Sequence, residues 1–488
     1  MLFNTIDFIV FFIIILATIS LIKQKKFQHI FLLIASYFFF YYSSNYLIIL
    51  LIASTILDFY LGKIIWNTPD ISRKKILLII SLSGNLGLLG FFKYADFAIL
   101  QFNILGEQFN VANEIPFLNL ALPIGISFYT FQTMSYTIDI YRGNLQPSNS
   151  FKEFALFVAF FPQLVAGPIV RASEFLPQLR GKIEDGRIQL KQIIIHNSNL
   201  KLGITIMAFG FLKKMFFADN IAPLVDNIFS NPVGMDSFTL ILGAIGFGIQ
   251  IYGDFSGYSD IAIGAALILG FKLPINFNRP YFAISPSDFW RRWHISLSSW
   301  LRDYLYIPLG GNKRSHGRTY FNLFTVMFLG GLWHGASWNF VVWGMLHGGY
   351  LAIHKIILDK FPKLRNNVFF ESKFGKIISI LATQYLVFLT WIAFRVRDTD
   401  EMLYAMNKYV FIDFQTATIK QVITSNEVAV GLIGLFIIGN IILYKQKNIL
   451  ERISQMKLWK WFFFILIITL LILLSFAGNT DDFIYFQF

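Results

Sequence analysis

Apolar residues run along this chain in long, nearly uncharged stretches, and short basic clusters separate many of them. About 20 such residues make a membrane-crossing helix, so the pattern predicts spans rather than amphipathic soluble elements. The first run, residues 8–22, has Asp7 before it and Lys23, Lys25 and Lys26 after it. That charge order is the reverse of a secretory signal, and it predicts a retained span with its N-terminus outside. The run 27–65 is too long for one helix and must fold back as two, breaking near Ser43, Ser44 and Asn45. Arg73, Lys74 and Lys75 then mark a cytoplasmic return, 76–92 a fourth span, and 93–120 a mixed, interfacial stretch.

Residues 122–141 are apolar but dotted with Ser127, Thr130, Gln132, Thr133, Ser135 and Thr137. Such a face lines a wet cavity or bonds helix to helix. A span or half-span at 151–169 leads to a cytoplasmic loop carrying Arg171, Arg180, Lys182, Arg187 and Lys191. Further spans are expected at 193–217, 238–252 and 261–270, with 253–260 as a link whose Asp254 and Asp260 cap a helix or serve the function. After the central region come spans near 377–394, 428–444 and 461–476, with 445–460 cytoplasmic and the tail 478–488, bearing Asp481 and Asp482, outside. The expected fold class is all-α: one polytopic membrane domain over 1–488, with roughly 11 to 14 membrane helices if re-entrant and interfacial ones are counted.

Composition agrees. Of 488 residues 56% are hydrophobic and 14% charged, and mean hydropathy is +0.58. The net charge of +13 lies in loops between apolar spans, the positive-inside arrangement, and is no sign of nucleic acid. Lipid-facing and interfacial positions account for much of the Phe 56 and Tyr 21. With no cysteine the chain cannot carry a thioester on itself.

Two blocks between residues 285 and 343 each set one histidine in apolar or aromatic surroundings. The first reads Ser285-Pro286-Ser287-Asp288-Phe289-Trp290-Arg291-Arg292-Trp293-His294 and continues through Trp300-Leu301-Arg302-Asp303-Tyr304 to Pro308-Leu309-Gly310-Gly311. Ser285 as N-cap, Pro286 in the first turn and Asp288 reaching back to the cap N–H predict a helix start. On one continuous helix, Phe289, Trp290, Trp293, Leu297, Trp300 and Leu301 share an arc, the charged residues take the other, and His294 sits on the border. Either His294 faces buried protein, or the helix lies at the headgroups and the ring merely marks that boundary.

The second block is Gly330-Gly331-Leu332-Trp333-His334-Gly335-Ala336-Ser337-Trp338. The apolar stretch before it, 320–333, makes only about 21 Å of helix, 337–350 is similarly short, and both flanks are basic. The turn at His334 is therefore expected inside the membrane, where irregular backbone must be covered by protein or line a cavity. A buried, glycine-flanked imidazole suits a general base, and it also suits a structural histidine bonding two helices. His347 and His354 read as structural. No paired metal-ligand spacing exists, so no metal is expected.

Phe-Trp-Arg-Arg-Trp-His, Trp-Leu-Arg-Asp-Tyr, Pro-Leu-Gly-Gly and Gly-Leu-Trp-His-Gly, in that order, resemble the membrane-bound O-acyltransferases, most closely their bacterial alginate, polysaccharide and peptidoglycan O-acetyltransferase branch. The resemblance is sharp over residues 252–349 and is supported by Pro162-Gln163-Leu164-Val165-Ala166-Gly167-Pro168-Ile169. It implies a ring of helices around a thin centre, with His334 and His294 as the catalytic positions. Asp288, Arg291, Trp293, Arg302, Asp303, Tyr304, Trp333 and Asp254 are supporting candidates.

It further implies an enzyme of the cell (inner) membrane, without a bound cofactor, that takes acetyl from acetyl-CoA toward hydroxyls of an extracytoplasmic polysaccharide or of a separate SGNH-type transferase. Two other readings stay open: D-alanyl transfer to teichoic acid on the same fold, and a transporter or flippase of lipid-linked sugars. The topology can be tested directly, because the chain has no cysteine. Lys74→Cys and Arg452→Cys should react with a membrane-impermeant maleimide only from the cytoplasmic side, and labelling of either from outside overturns the assignment.

Overall fold

The computed structural model describes residues 1–110, 114–164, 167–184, 187–414, 416–446, 448–475 and 483–484. Val165, Ala166, Asp481 and Asp482 lie outside the described residues. Among the described residues the fold is all-α apart from one small hairpin, and the chain divides into two compact units. Seven stretches among the described residues are long and apolar enough to cross a membrane, one of them covering two consecutive helices. The larger number expected above also counted shorter and interfacial helices.

The first unit comprises residues 1–204 and 262–274. It contains α1 (Ile6–Leu21), α2 (Lys25–Ser44), α3 (Ile48–Asn67), α4 (Ile71–Gln108), α5 (Ile126–Tyr141), α6 (Phe151–Ala159), α7 (Phe161–Leu164) and α8 (Ala172–Leu179). The hairpin of β1 (Arg180–Glu184) and β2 (Arg187–Leu190) follows, antiparallel, and then α9 (Asn197–Phe211) begins. The break between α2 and α3 falls where the polar triplet predicts, with Asn45 in the left-handed region at φ 48°. In contrast, α4 does not stop near 92: its helix continues to Gln108, so most of the stretch expected to be interfacial is helical.

Ile9, Val10, Ile13 and Ile14 of α1 are exposed, as lipid-facing positions would be. Between α3, α4 and α5, Asp58 is fully buried and accepts hydrogen bonds from Ser81 (2.5 Å) and Asn85 (2.8 Å). Ser54 and Thr133 donate to the Asn85 carbonyl at 2.7 and 3.3 Å, and Thr137 lies 3.0 Å from Ser81. Thr133 and Thr137 therefore bond helix to helix, one of the two uses their pattern allowed.

The second unit comprises residues 205–261 and 275–488. It holds the end of α9, a π-turn at Leu212–Ala218, α10 (Asp219–Phe229) and α11 (Ser237–Ile268) up to residue 261. It continues with α12 (Pro286–Trp290), α13 (Ile295–Leu301), α14 (His316–His334), α15 (Trp338–Lys360), α16 (Val368–Glu371), α17 (Lys373–Arg395), α18 (Thr399–Val410), α19 (Thr416–Ser425), α20 (Glu427–Lys445), α21 (Ile449–Ser454) and α22 (Leu458–Ser475). Its core joins Trp290, Trp293, Trp343 and Trp391 with Phe247, Phe289 and Phe394.

Three expectations are corrected here. Residues 253–260 are not a link but the middle of α11, because a buried ion pair at Asp254 and a half-buried one at Asp260 let its carboxylates stay in the helix. The segment 285–305 is not one helix but α12, a bend at His294, α13 and a π-turn. The hairpin helices α14 and α15 are also longer than their apolar cores suggest, at 19 and 23 residues, or about 28 and 34 Å. Polar residues extend each helix at the basic end, where Asp359 accepts from Lys355 (2.7 Å) and Tyr320 (3.2 Å) and lies 3.0 Å from His316. Shortness of the helices thus gives no ground for placing the His334 turn at mid-membrane.

Helices α14 and α15 pack backbone against backbone. A Cβ at Gly331 would lie 2.3 Å from the Phe340 carbonyl oxygen, and one at Gly344 would lie 2.6 Å from that of Met327. Backbone atoms cannot yield as a side-chain tip can. Gly344→Ala should therefore destabilise the protein by ~1–3 kcal/mol through overpacking. Gly349→Ala, with nothing within 4 Å of the new methyl, should be neutral or slightly stabilising. Thermal unfolding of the two variants in detergent checks this, and an unchanged Gly344→Ala midpoint contradicts the close approach.

Candidate active site

The second histidine block ends one helix and begins the next. His334 is the last residue of α14, Gly335 follows in extended backbone at φ −163°, and Ser337 caps α15 by accepting from the Asn339 N–H at 3.2 Å. Gly335 has no room for a side chain, since its Cβ would lie 2.0 Å from the Phe340 ring. His334 is 4% exposed, with its ring edge-on to Trp343 (4.8 Å), Trp333 (5.0 Å) and Phe394 (5.3 Å).

The first block places its histidine by a backbone break. His294 has φ 41° and ψ 56°, left-handed values that are uncommon for a residue with a Cβ. Asn276 and Asn278, on the irregular segment leading into the block, hold the break on both sides. The Asn278 N–H donates to the Arg292 carbonyl (2.8 Å) and the Ile295 N–H to the Asn276 carbonyl (2.9 Å). The Asn276 side-chain oxygen accepts from the Ser296 N–H (3.3 Å) and hydroxyl (2.9 Å), while its amide donates to Ser259 (3.2 Å). His294 is fully buried, edge-on to Phe255 at 4.7 Å.

The two histidine rings meet on one side chain: Trp333 lies 6.2 Å from His294 and 5.0 Å from His334. Trp333, one of the supporting candidates, thus joins the two blocks. Trp293 packs instead into the core against Trp391 (4.9 Å) and Phe277 (5.0 Å). Asp288 does not return to the Ser285 N–H. Only half of the capping box forms: the Asp288 N–H donates to Ser285 Oγ (3.1 Å), while the Asp288 carboxylate accepts from the Ile284 N–H (3.2 Å) and Arg292 (2.9 Å).

Arg291 is exposed and bonds the Ser287 carbonyl, exposed Arg302 forks onto half-buried Asp303 at 2.6 and 3.1 Å, and Tyr304 packs on Trp300. Asp254 lies in a buried ion cluster. It pairs with Lys214 (2.9 Å), which also holds Asp219 (2.7 Å), and it accepts the Ile484 N–H at 2.7 Å. Phe483 packs on Phe255 and Tyr258, so this cluster fixes a tail segment beside the aromatic wall of His294.

His347 is buried and bonded at both nitrogens. Trp290 Nε1 donates to Nδ1 (3.3 Å), so Nε2 carries the hydrogen toward Thr390 Oγ1 (3.0 Å). It works as a strut between α12, α15 and α17, and Trp343 separates it from His334. Asn276 and Asn339 escaped the sequence reading. Buried Asn339 donates to the carbonyls of Val396 (2.7 Å) and Arg397 (3.1 Å) and accepts from Thr399, tying the start of α15 to the bend before α18. An asparagine beside an aromatic motif was the one available signal. Among the described residues no group of three or more His, Asp or Glu is arranged to hold a metal.

Residues 141–394, just over half of the chain, match the family described as MBOAT, membrane-bound O-acyltransferase family. The chain belongs to that family. It is 37% identical over 376 residues to the "Peptidoglycan O-acetyltransferase" of Helicobacter pylori, covering 72% of this chain and 68% of that one. Against the "Probable alginate O-acetylase AlgI" of Azotobacter vinelandii it is 40% identical over 364 residues, 73% of this chain and 67% of that one. The "Teichoic acid D-alanyltransferase" of Bacillus subtilis is 30% identical over 243 residues, 47% of this chain and 58% of that one. The protein is thus a multi-pass membrane O-acyltransferase, and the transport reading falls.

In this acyltransferase the Asn276 latch sets the His294 backbone. Asn276→Ala removes the side-chain oxygen that accepts from the Ser296 N–H and hydroxyl and should cost ~1–3 kcal/mol. Arg302→Ala, which removes an exposed guanidinium, should stay within ~0.5 kcal/mol of the parent. Unfolding midpoints measured side by side check the pair, and equal loss in both would remove the latch.

Proposed function

We propose that this enzyme transfers an acetyl group from acetyl-CoA, bound from the cytoplasm, toward hydroxyls beyond the cell membrane, on a polysaccharide or on a separate SGNH-type transferase that acts as its partner. The names of two relatives, a peptidoglycan O-acetyltransferase and a probable alginate O-acetylase, support O-acetylation of a polysaccharide. The observation that carries the reading is the meeting of two buried imidazoles, from separate motif blocks, on Trp333.

In this mechanism His334 takes the proton of the attacking hydroxyl as its oxygen bonds to the thioester carbonyl carbon. The C–S bond then breaks, and the CoA thiolate leaves and receives a proton. His294 positions and polarises the thioester. Surrounding aromatic rings keep out water, which would otherwise compete as the nucleophile.

The test uses purified enzyme and His334→Gln, which keeps the volume that Trp343 and Phe394 pack against. Acetyl transfer per folded molecule should fall ~10²- to 10⁴-fold, with yield and unfolding midpoint unchanged. A purely structural histidine gives the opposite pair of results. Selective use of a D-alanyl carrier protein in place of acetyl-CoA would move the enzyme to D-alanyl transfer.

A further inference from the structure

A cavity of about 380 Å³ opens in the second unit, where the start of α11 meets the end of α18 and α19. This lies within the ~300–1,000 Å³ usual for small-molecule sites. Asp236 and Thr239 line it, each 6% exposed, and the Asp236 Oδ2 and Thr239 Oγ1 atoms are buried without a hydrogen-bond partner. The other Asp236 oxygen is committed, capping α11 through the Thr239 N–H at 3.0 Å. Buried polar atoms left without partners are uncommon in native folds, and here two neighbours share one cavity wall.

The remaining wall presents Gln421, Ser425 and Asn426, so hydroxyl and amide groups dominate. The charge is already apportioned. Lys408 pairs with Asp413, which also accepts from the Ser237 hydroxyl at 2.5 Å. The Lys408 ammonium and then the Ser237 hydroxyl hold the Asp413 carboxyl down to about 2, so it stays anionic. Asp236 and Asp413 against Lys408 leave one net negative charge, and the ammonium occupies the place a cation would take.

We propose that this cavity binds an uncharged sugar unit of the acceptor polymer, its hydroxyl or acetamido hydrogens donating to Asp236 and Thr239. A uronate would bring its own carboxylate against Asp236 and Asp413. The position suits an acceptor. α20 leaves the cavity at Asn426 and ends about 28 Å away at Lys445, on the basic and hence cytoplasmic side, so the cavity faces outward. Along α18, about 18 Å separates the cavity from the bend that Asn339 ties to the His334 turn.

The inference rests on the acetyl-transfer reading for its purpose, but binding is measurable without turnover. Full-length protein in lipid nanodiscs is titrated calorimetrically with the β-1,4-linked tetramer of N-acetylglucosamine and with a tetramer of mannuronate. The neutral tetramer should bind saturably and the uronate at least tenfold more weakly. The double variant Asp236→Asn, Thr239→Val should lose at least tenfold in affinity for the neutral tetramer. Asparagine preserves the helix cap, so the variant's unfolding midpoint should match the parent's. If that variant fails to fold, Gln421→Ala on the exposed wall should weaken binding at least threefold instead.

Absence of saturable binding, equal affinity in the folded variants, or preference for the uronate overturns the proposal. Donor turnover without sugar binding sinks this inference alone, whereas sugar binding without any acetyl transfer sinks the functional reading and leaves the site.

Discussion

The site depends first on the close approach of α14 to α15. Gly331 and Gly344 let the two backbones touch, and three residues beyond Gly331 the helix ends at His334. Trp343, adjacent to Gly344, is thereby brought edge-on to the His334 ring. Any side chain at either glycine would separate the helices and draw the imidazole from its aromatic setting. Packing of small residues is the usual way helices associate where no hydrophobic gain distinguishes protein from lipid.

Buried polar groups supply the second constraint, since a donor or acceptor kept from water must find its partner inside the protein. Asn276 answers it at the His294 break, Asn339 at the bend between α17 and α18, and His347 between three helices. These residues hold two short, irregular segments in fixed register, so that His294 and His334 both reach Trp333. The Lys214, Asp219 and Asp254 cluster does the same for the segment at Phe483 and Ile484. Burying these ions is costly, and the Ile484 N–H that Asp254 accepts besides Lys214 helps to offset that cost.

The sequence by itself determined the class of the protein. Long apolar runs separated by basic clusters demand membrane helices, and the turn at Ser43 to Asn45 is legible because one span cannot use so many residues. The two histidine blocks also stand out in the sequence, being rare ionisable residues in aromatic surroundings. Helix continuity was less legible: hydropathy cannot tell a polar link from a helix whose carboxylates are paired, which is why the middle of α11 reads as a loop. Nor can it see a helix run on into polar residues, as α4, α14 and α15 do. Only the tertiary structure decided that 285–305 bends at His294, because the bonds that stabilise the bend come from Asn276 and Asn278, outside the helical pattern. Only the structure brings Trp333 to both imidazoles and leaves Arg291 and Arg302 exposed. Periodicity reports which face of a helix is apolar, whereas the partner that completes a buried polar group is a long-range choice made by the fold.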